Sequence, residues 1–184
     1  MTAIASSSQL RMSLLRYALV TVPLVLLLGT LSGRASNSGY SNDWFAALEK
    51  PAAMPPAWVF PVAWTILYIM IGLALAIVLH ARGARGRGVA VGVFVAQLLL
   101  NYSWSPLFFA MHETRAALVL ILAMLVLAVA AAVLFGKIRR AAGLLMLPYL
   151  AWLAFAGYLN YAIVALNPGA DTLVPGEASA DIAL

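Results

Sequence analysis

Between Ala116 and Gly136 the chain reads AALVLILAMLVLAVAAAVLFG, 21 residues without a charge, a proline or an amide. A helix needs roughly 17–25 mainly apolar residues to cross the ~30 Å hydrocarbon core of a bilayer. This stretch meets that length and stops on Lys137, Arg139 and Arg140. Working outward, further uncharged stretches run from Tyr17 to Gly33, Pro51 to Leu79, Gly88 to Met111 and Ala141 to Ala170. Five crossings follow. None of them alternates with a period of two, so the ~10-residue strands of a membrane barrel are not indicated. The fold expected is an all-α integral membrane protein, a bundle of five transmembrane helices.

Composition agrees. The 184 residues are 65% hydrophobic and 9% charged, with a mean hydropathy of +0.99. A soluble domain carries about 25% charged residues, so this chain cannot build a surface that water solvates. With no cysteine, disulfides, thiolate metal sites and cysteine nucleophiles are excluded. The spans are expected at about 17–33, 58–80, 88–110, 116–136 and 143–166, after an N-terminal segment 1–16. A long loop 34–57 joins the first two, and a polar tail 170–184 is expected to be disordered.

The charges orient the bundle. Arg11, Arg16, Arg82, Arg85, Arg87, Lys137, Arg139 and Arg140 fall on one side; Arg34, Lys50, Arg115 and all six acids fall on the other. The positive-inside rule then places the N-terminus in the cytoplasm and the C-terminus on the opposite side. The net charge of +5 is thereby read as topology near anionic lipid, and nucleic acid is not expected as a partner. Ser32-Gly33-Arg34-Ala35 offers small residues suited to signal cleavage. The preceding apolar run is longer than the 7–15 residues of a usual signal core, so the first span is expected to be retained.

No ionisable side chain lies within the middle of any span; His80 and His112 sit at span ends. Proton-coupled or ion-coupled transport normally marks itself with such residues, and acid–base or nucleophilic catalysis requires them. What the spans do carry is aromatic and amide residues at helical spacing. Trp64 and Tyr68 share a face, with Gly72 one turn on. Asn101, Trp104 and Phe108 form a second stripe, and Tyr149, Trp152, Ala156 and Asn160 a third. The span Ala116–Phe135 has no stripe and reads as lipid-facing or filler. One reading is that the second, third and fifth spans enclose a flat ligand. The other is packing and anchoring: Trp44, Trp58 and Tyr17 suit an interfacial belt, and Asn serves as interhelical glue worth about 0.6–2 kcal/mol. The pattern alone leaves both standing.

Three segments resemble one family. They are Glu49-Lys50-Pro51 followed by Pro55-Pro56-Ala57-Trp58-Val59-Phe60-Pro61-Val62-Ala63-Trp64-Thr65-Ile66-Leu67-Tyr68; Gln97-Leu98-Leu99-Leu100-Asn101-Tyr102-Ser103-Trp104-Ser105-Pro106-Leu107-Phe108-Phe109; and Pro148-Tyr149-Leu150-Ala151-Trp152 continuing to Asn160-Tyr161. In this order they resemble the TspO/MBR family, the tryptophan-rich sensory proteins, also called translocator protein or peripheral-type benzodiazepine receptor. The resemblance spans roughly Trp44 to Asn167. It implies a five-helix bundle, often a homodimer, that binds porphyrins such as protoporphyrin IX and haem, sterols and benzodiazepine-type ligands. By motif position it implies that Trp64, Asn101, Trp104, Trp152 and Ala156 line the pocket. The adjoining stripe residues Tyr68, Phe108, Tyr149 and Asn160 complete the expected ligand-binding set. The first loop is implied to be a lid, with Pro55, Pro56 and Trp58 in it. No obligatory cofactor and no metal site are expected; porphyrin or haem enters as ligand.

This sequence departs from the family at three points. Ala53 stands where many members have a lid tryptophan, Ala116 where another aromatic is usual, and Ala165 where the sterol motif needs a base. Sterol-binding motifs are weak patterns in any case, and sterol binding is not expected. Asp43 to Leu48 is expected to form one or two turns of interfacial helix, as a lid or as an anchor. Gly88, Gly92 and Ala96 step by four along the third span, either as a dimer seam or as close packing inside the bundle. Three functions then compete: a binding or sensory protein for tetrapyrroles, a carrier of such ligands, and an enzyme that oxidatively degrades protoporphyrin. The last would use Trp64 and Trp152 as redox-capable aromatics. The inverted repeats of secondary transporters are not evident, although Pro61 and Pro106 are candidate kinks.

Overall fold

The computed structural model describes residues 7–173. Its helices are α1 (Ser7–Ala35), α2 (Asp43–Ala47), α3 (Val59–His80), α4 (Arg87–Ser105), α5 (Thr114–Ile138) and α6 (Arg140–Leu166). A π-helical turn, Pro106–Ala110, extends α4, and a 3-10 turn, Ala170–Thr172, follows α6. Five helices are long and apolar enough to cross a membrane, with α4 and its π turn counting as one. No strand occurs among the described residues. The chain is an all-α bundle, with α2 lying across one end.

The long helices close into a ring. α1 packs on α3, α3 on α6, α6 on α5 and α5 on α4, and α4 returns to α1. Chain order and ring order differ, so the second and last spans become neighbours. The turn between α5 and α6 consists of Arg139 alone, in an extended conformation. It is tight because Gly136 and Gly143 face each other. A Cβ on Gly143 would stand 2.8 Å from Gly136 Cα.

The span without an aromatic stripe is not filler. α5 buries Ile121, Met124, Ala128, Ala131 and Phe135 against its neighbours. Its alanines replace bulk with close approach, which a search for aromatic stripes passes over. The peripheral helix is α1, with 17% of its apolar window buried against 44% for α3. α1 is held by a narrow seam. Thr21 donates to Gly72 O (2.8 Å), Tyr102 donates to Val25 O (2.9 Å), and Gly72 lies against the Val22 backbone. α1 also runs unbroken through the small-residue segment Ser32–Ala35.

Of the prolines, Pro61 sits in the first turn of α3, where its missing N–H leaves nothing unpaired. Pro106 opens the π turn, and Pro148 lies within α6. Gly88, Gly92 and Ala96 are exposed on the outer face of α4, and a Cβ on either glycine would meet nothing within 4 Å. They do not pack inside the bundle. Residues 170–173, expected to belong to a disordered tail, are instead docked on the bundle. Ala170 is buried, and Asp171 accepts from Thr114 N and Oγ1 at 3.0 and 2.8 Å. Residues 1–6 and 174–184 lie outside the described residues.

Candidate functional site in the lid half of the bundle

Three helices bring the stripes together. Tyr68 of α3 donates to Asn101 Oδ1 of α4 (2.7 Å), and Asn101 Nδ2 donates to Tyr149 OH of α6 (3.0 Å). Tyr149 in turn donates to Gln97 Oε1 (2.8 Å), so one directed chain of hydrogen bonds ties all three helices. All four residues are buried. α4 is thereby coupled to α6 through side chains across the centre of the ring. The chain leaves Gln97 Nε2 as a buried donor with no partner. Buried polar groups without partners are uncommon and call for a reason.

Aromatic rings surround this polar track. Trp64 lies 5.2 Å from Tyr68, and stands edge-on to Tyr149 and to Trp152, each at 6.4 Å. Phe60 also stands edge-on to Trp152 at 6.0 Å. Such edge and tilted contacts suit the ring quadrupoles and add about 0.5–1.5 kcal/mol per pair beyond burial. Trp64, Trp104, Trp152 and Ala156 are only half-buried, whereas the polar track beneath them is closed. The Trp152 indole N–H, like Gln97 Nε2, is buried and unpaired.

Nearer the end of the bundle, Trp104 donates to Asn160 Oδ1 (3.3 Å) and stacks on Phe108 at 4.9 Å. Asn160 Nδ2 donates to Thr114 O (3.0 Å), tying α6 to the start of α5. Trp104 touches both the central core and the cluster above it, and so links the two layers. Hence the nine stripe residues fall into a deeper group around Trp64, Tyr68, Asn101, Tyr149 and Trp152, and a shallower one of Trp104, Phe108 and Asn160. Ala156 packs on the edge of the deeper group.

The lid is α2. Asn42 caps it by accepting from Phe45 N (3.0 Å) and anchors it by donating to Phe109 O (3.1 Å). Trp44, Phe45 and Leu48 are buried against Phe108, Phe109, Ala117, Ile163 and Ala170. Trp44 donates to Ala170 O (2.9 Å) and stacks on the His112 ring at 4.3 Å. It is therefore not an interfacial anchor. The sequence pattern missed this because a five-residue helix is too short to show a face. Asn167 pairs with the Glu49 backbone in both directions, at 2.8 and 2.9 Å, fixing the loop to the end of α6. Trp58, at 66% exposed, and Pro56 face outward, and Pro55 only accepts from Tyr40 OH (3.0 Å). Pro55, Pro56 and Trp58, the expected lid residues, thus lie beside α2, which docks through Asn42, Trp44, Phe45 and Leu48.

Lys50 caps the lid's C-terminal end, donating to the carbonyls of Phe45, Ala46 and Leu48 at 2.7, 3.1 and 2.9 Å. Partial burial lowers its pKa below the ordinary lysine value. With its protons engaged, Lys50 is structural here, while Arg34 stays exposed in the last turn of α1. Among the described residues no group of three or more His, Cys, Asp or Glu is placed to hold a metal ion.

The five-span ring has a Trp–Asn–Tyr interior and a first loop docked across one end, and residues 20–166 match the TspO/MBR family. The chain belongs to the TspO/MBR family. Within it, the chain is 45% identical to tryptophan-rich protein TspO of Chlorobaculum tepidum over 127 residues, 68% of this chain and 80% of that one. Against protein CrtK of Rhodobacter capsulatus the identity is 33% over 127 residues (68% and 79%). With the translocator protein of Homo sapiens it is 35% over 144 residues (77% and 85%). As a TspO/MBR protein with five apolar helices, the chain is a multi-pass membrane protein of the sensory and translocator group. Gln97, though inside one of the TspO/MBR motifs, escaped the stripe reading. Its place four residues before Asn101, on the same face, was the available signal.

Proposed function

We propose that this protein is a membrane-embedded binding protein, sensory or regulatory, for porphyrins such as protoporphyrin IX and haem and for related flat hydrophobic ligands. The observation that carries the reading is the half-buried faces of Trp64, Trp104 and Trp152 over a neutral hydrogen-bonded floor of Tyr68, Asn101, Tyr149 and Gln97. Flat apolar ligands gain most from aromatic faces, and a few fixed polar groups orient them. Ala156, small and half-buried at the edge of this group, leaves space where a larger side chain would fill it. The site offers donors and no charge, which favours a ligand's ring edge over its carboxylates in the interior. Carboxylates would then sit at the lid end, near Arg34.

The outward row of Gly88, Gly92 and Ala96 supports a homodimer through α4, since small residues let two helices approach closely. The distribution of Lys and Arg supports an N-terminus in the cytoplasm. The test is a fluorescence titration in detergent, followed over time. Saturable tryptophan quenching by protoporphyrin IX is the expected outcome. Its absence overturns the proposal, and progressive loss of the porphyrin absorption band would replace binding by turnover.

A further inference from the structure

We infer that the groove between α3 and α6 is a lateral entrance, through which a flat hydrophobic ligand passes between the bilayer and the aromatic site, with Trp152 as its movable wall. The inference rests on the binding function proposed above. The groove has a volume of about 380 Å³, and Ala63, Leu67, Pro148, Ala151, Trp152 and Phe155 are among its lining residues. It lies between two membrane-spanning helices, so lipid hydrocarbon bathes it. Its volume is within the ~300–1,000 Å³ range of small-molecule sites.

Four observations make it an entrance and not merely a dent in the surface. First, its wall is shared. Trp152 lines the groove and also stands edge-on to Trp64 at 6.4 Å, and Trp64 reaches Tyr68 and Tyr149. Trp152 thus belongs both to the groove and to the site. Second, that ring is held by packing alone. The indole N–H of Trp44 is held by Ala170 O and that of Trp104 by Asn160 Oδ1, whereas that of Trp152 has no acceptor. Turning it breaks no hydrogen bond, and its free donor can meet an acceptor on an arriving ligand. Third, the helix is loosened one turn earlier. Pro148 removes the N–H that would bond the Leu144 carbonyl, a common cause of local bending. Fourth, the opposing positions Ala63 and Ala151 are small, so the seam between the helices is thin there.

The water-facing route is the harder one. It requires undocking α2, with loss of the Trp44–Ala170, Asn42–Phe109 and Asn167–Glu49 hydrogen bonds and exposure of Phe45 and Leu48. A hydrophobic ligand also concentrates in the bilayer before it meets the protein. Access from lipid costs the packing of Trp152 on Phe60, Trp64 and Phe155 but no hydrogen bond.

The test uses the full chain in proteoliposomes with protoporphyrin IX already in the lipid, and reads tryptophan quenching by stopped flow. Ala151→Leu and, on the other helix, Ala63→Phe narrow the groove without touching the site. Each is expected to slow association and dissociation at least tenfold, with Kd changed less than about twofold. A staple made by Glu49→Cys with Asn167→Cys, in a chain that has no cysteine of its own, is expected to leave both rates unchanged. Wild-type rates in the groove variants, or slowing by the staple alone, overturn the lateral route while leaving the binding function intact. Absence of saturable binding by the wild type overturns both. A ligand-free readout is independent of porphyrin. Dibrominated acyl chains should quench the wild type more than Trp152→Phe, and Ala151→Leu should remove that difference; an equal effect in all three overturns the entrance.

Discussion

Gly29 of α1 leaves room for the ring of Tyr68 of α3: a Cβ on Gly29 would overlap Tyr68 Cε2. The absence of a side chain on the peripheral helix is what lets the Tyr68 hydroxyl reach Asn101. Gly29→Ala is expected to push the ring aside and weaken the Tyr68–Asn101 bond. Overpacking of this kind costs about 1–3 kcal/mol. Unfolding in detergent should show that loss, and protoporphyrin binding should weaken with it.

Trp64 and Ala156 act on the ligand by different means. Trp64→Phe keeps an aromatic edge toward Tyr149 and Trp152 but shrinks the face, whereas Ala156→Leu fills the edge of the site. Trp64→Phe is expected to weaken protoporphyrin IX about three- to tenfold, in keeping with ~0.5–1.5 kcal/mol for an aromatic pair. Ala156→Leu should weaken it more, because exclusion is not partial. Unchanged Kd values in both variants, measured by quenching titration, would remove these residues from the site.

Tyr149 is the hinge of the polar track, accepting from Asn101 and donating to Gln97. Tyr149→Phe leaves both amides without their partner in a buried place. That is expected to cost about 1–3 kcal/mol, more than the ~0.6 kcal/mol average for an interhelical bond in a membrane. Gln97→Leu removes an amide whose donor is already unpaired, and should cost less. Equilibrium unfolding in mixed micelles gives the order directly.

The lid makes a prediction about protection. Trp44→Phe keeps an aromatic ring beside His112 but deletes the bond to Ala170 O, and Asp171→Ala deletes the acceptor for Thr114. Either change is expected to speed amide exchange in residues 42–50 several-fold while leaving α3 and α5 protected. Uniform exchange across the chain would mean that the lid is not a separate unit.

The dimer seam proposed on the outer row of α4 can be tested apart from folding. Gly92→Leu adds bulk where nothing stands within 4 Å, so monomer stability is expected to change by less than about 0.5 kcal/mol. Crosslinking should show the dimer reduced. A destabilised monomer with the dimer intact would contradict the seam.

The sequence made the five spans legible because hydrocarbon tolerates so few residue types. The stripes at 64/68, 101/104/108 and 149/152/156/160 are legible for a related reason: an amide or indole in lipid is conspicuous. The structure joins these stripes through Tyr68, Asn101 and Tyr149. Other features depend on the absence of bulk, which composition does not advertise. Gly29 beneath Tyr68, Gly136 against Gly143 and the alanines of α5 work by being small. The lid's docking surface was hidden differently, since Asn42, Trp44, Phe45 and Leu48 act through partners on α4, α5 and α6 far along the chain.

The bond between Asn101 and Tyr149 also bears on biosynthesis. Asn101 leaves the ribosome well before α6, and while only four spans exist its amide has no Tyr149 to donate to. The site, its floor and the α3–α6 seam are completed in one event, the insertion of the last helix. A chain stalled after α5 would hold unpaired amides and indoles within the membrane, a state suited to recognition by quality control.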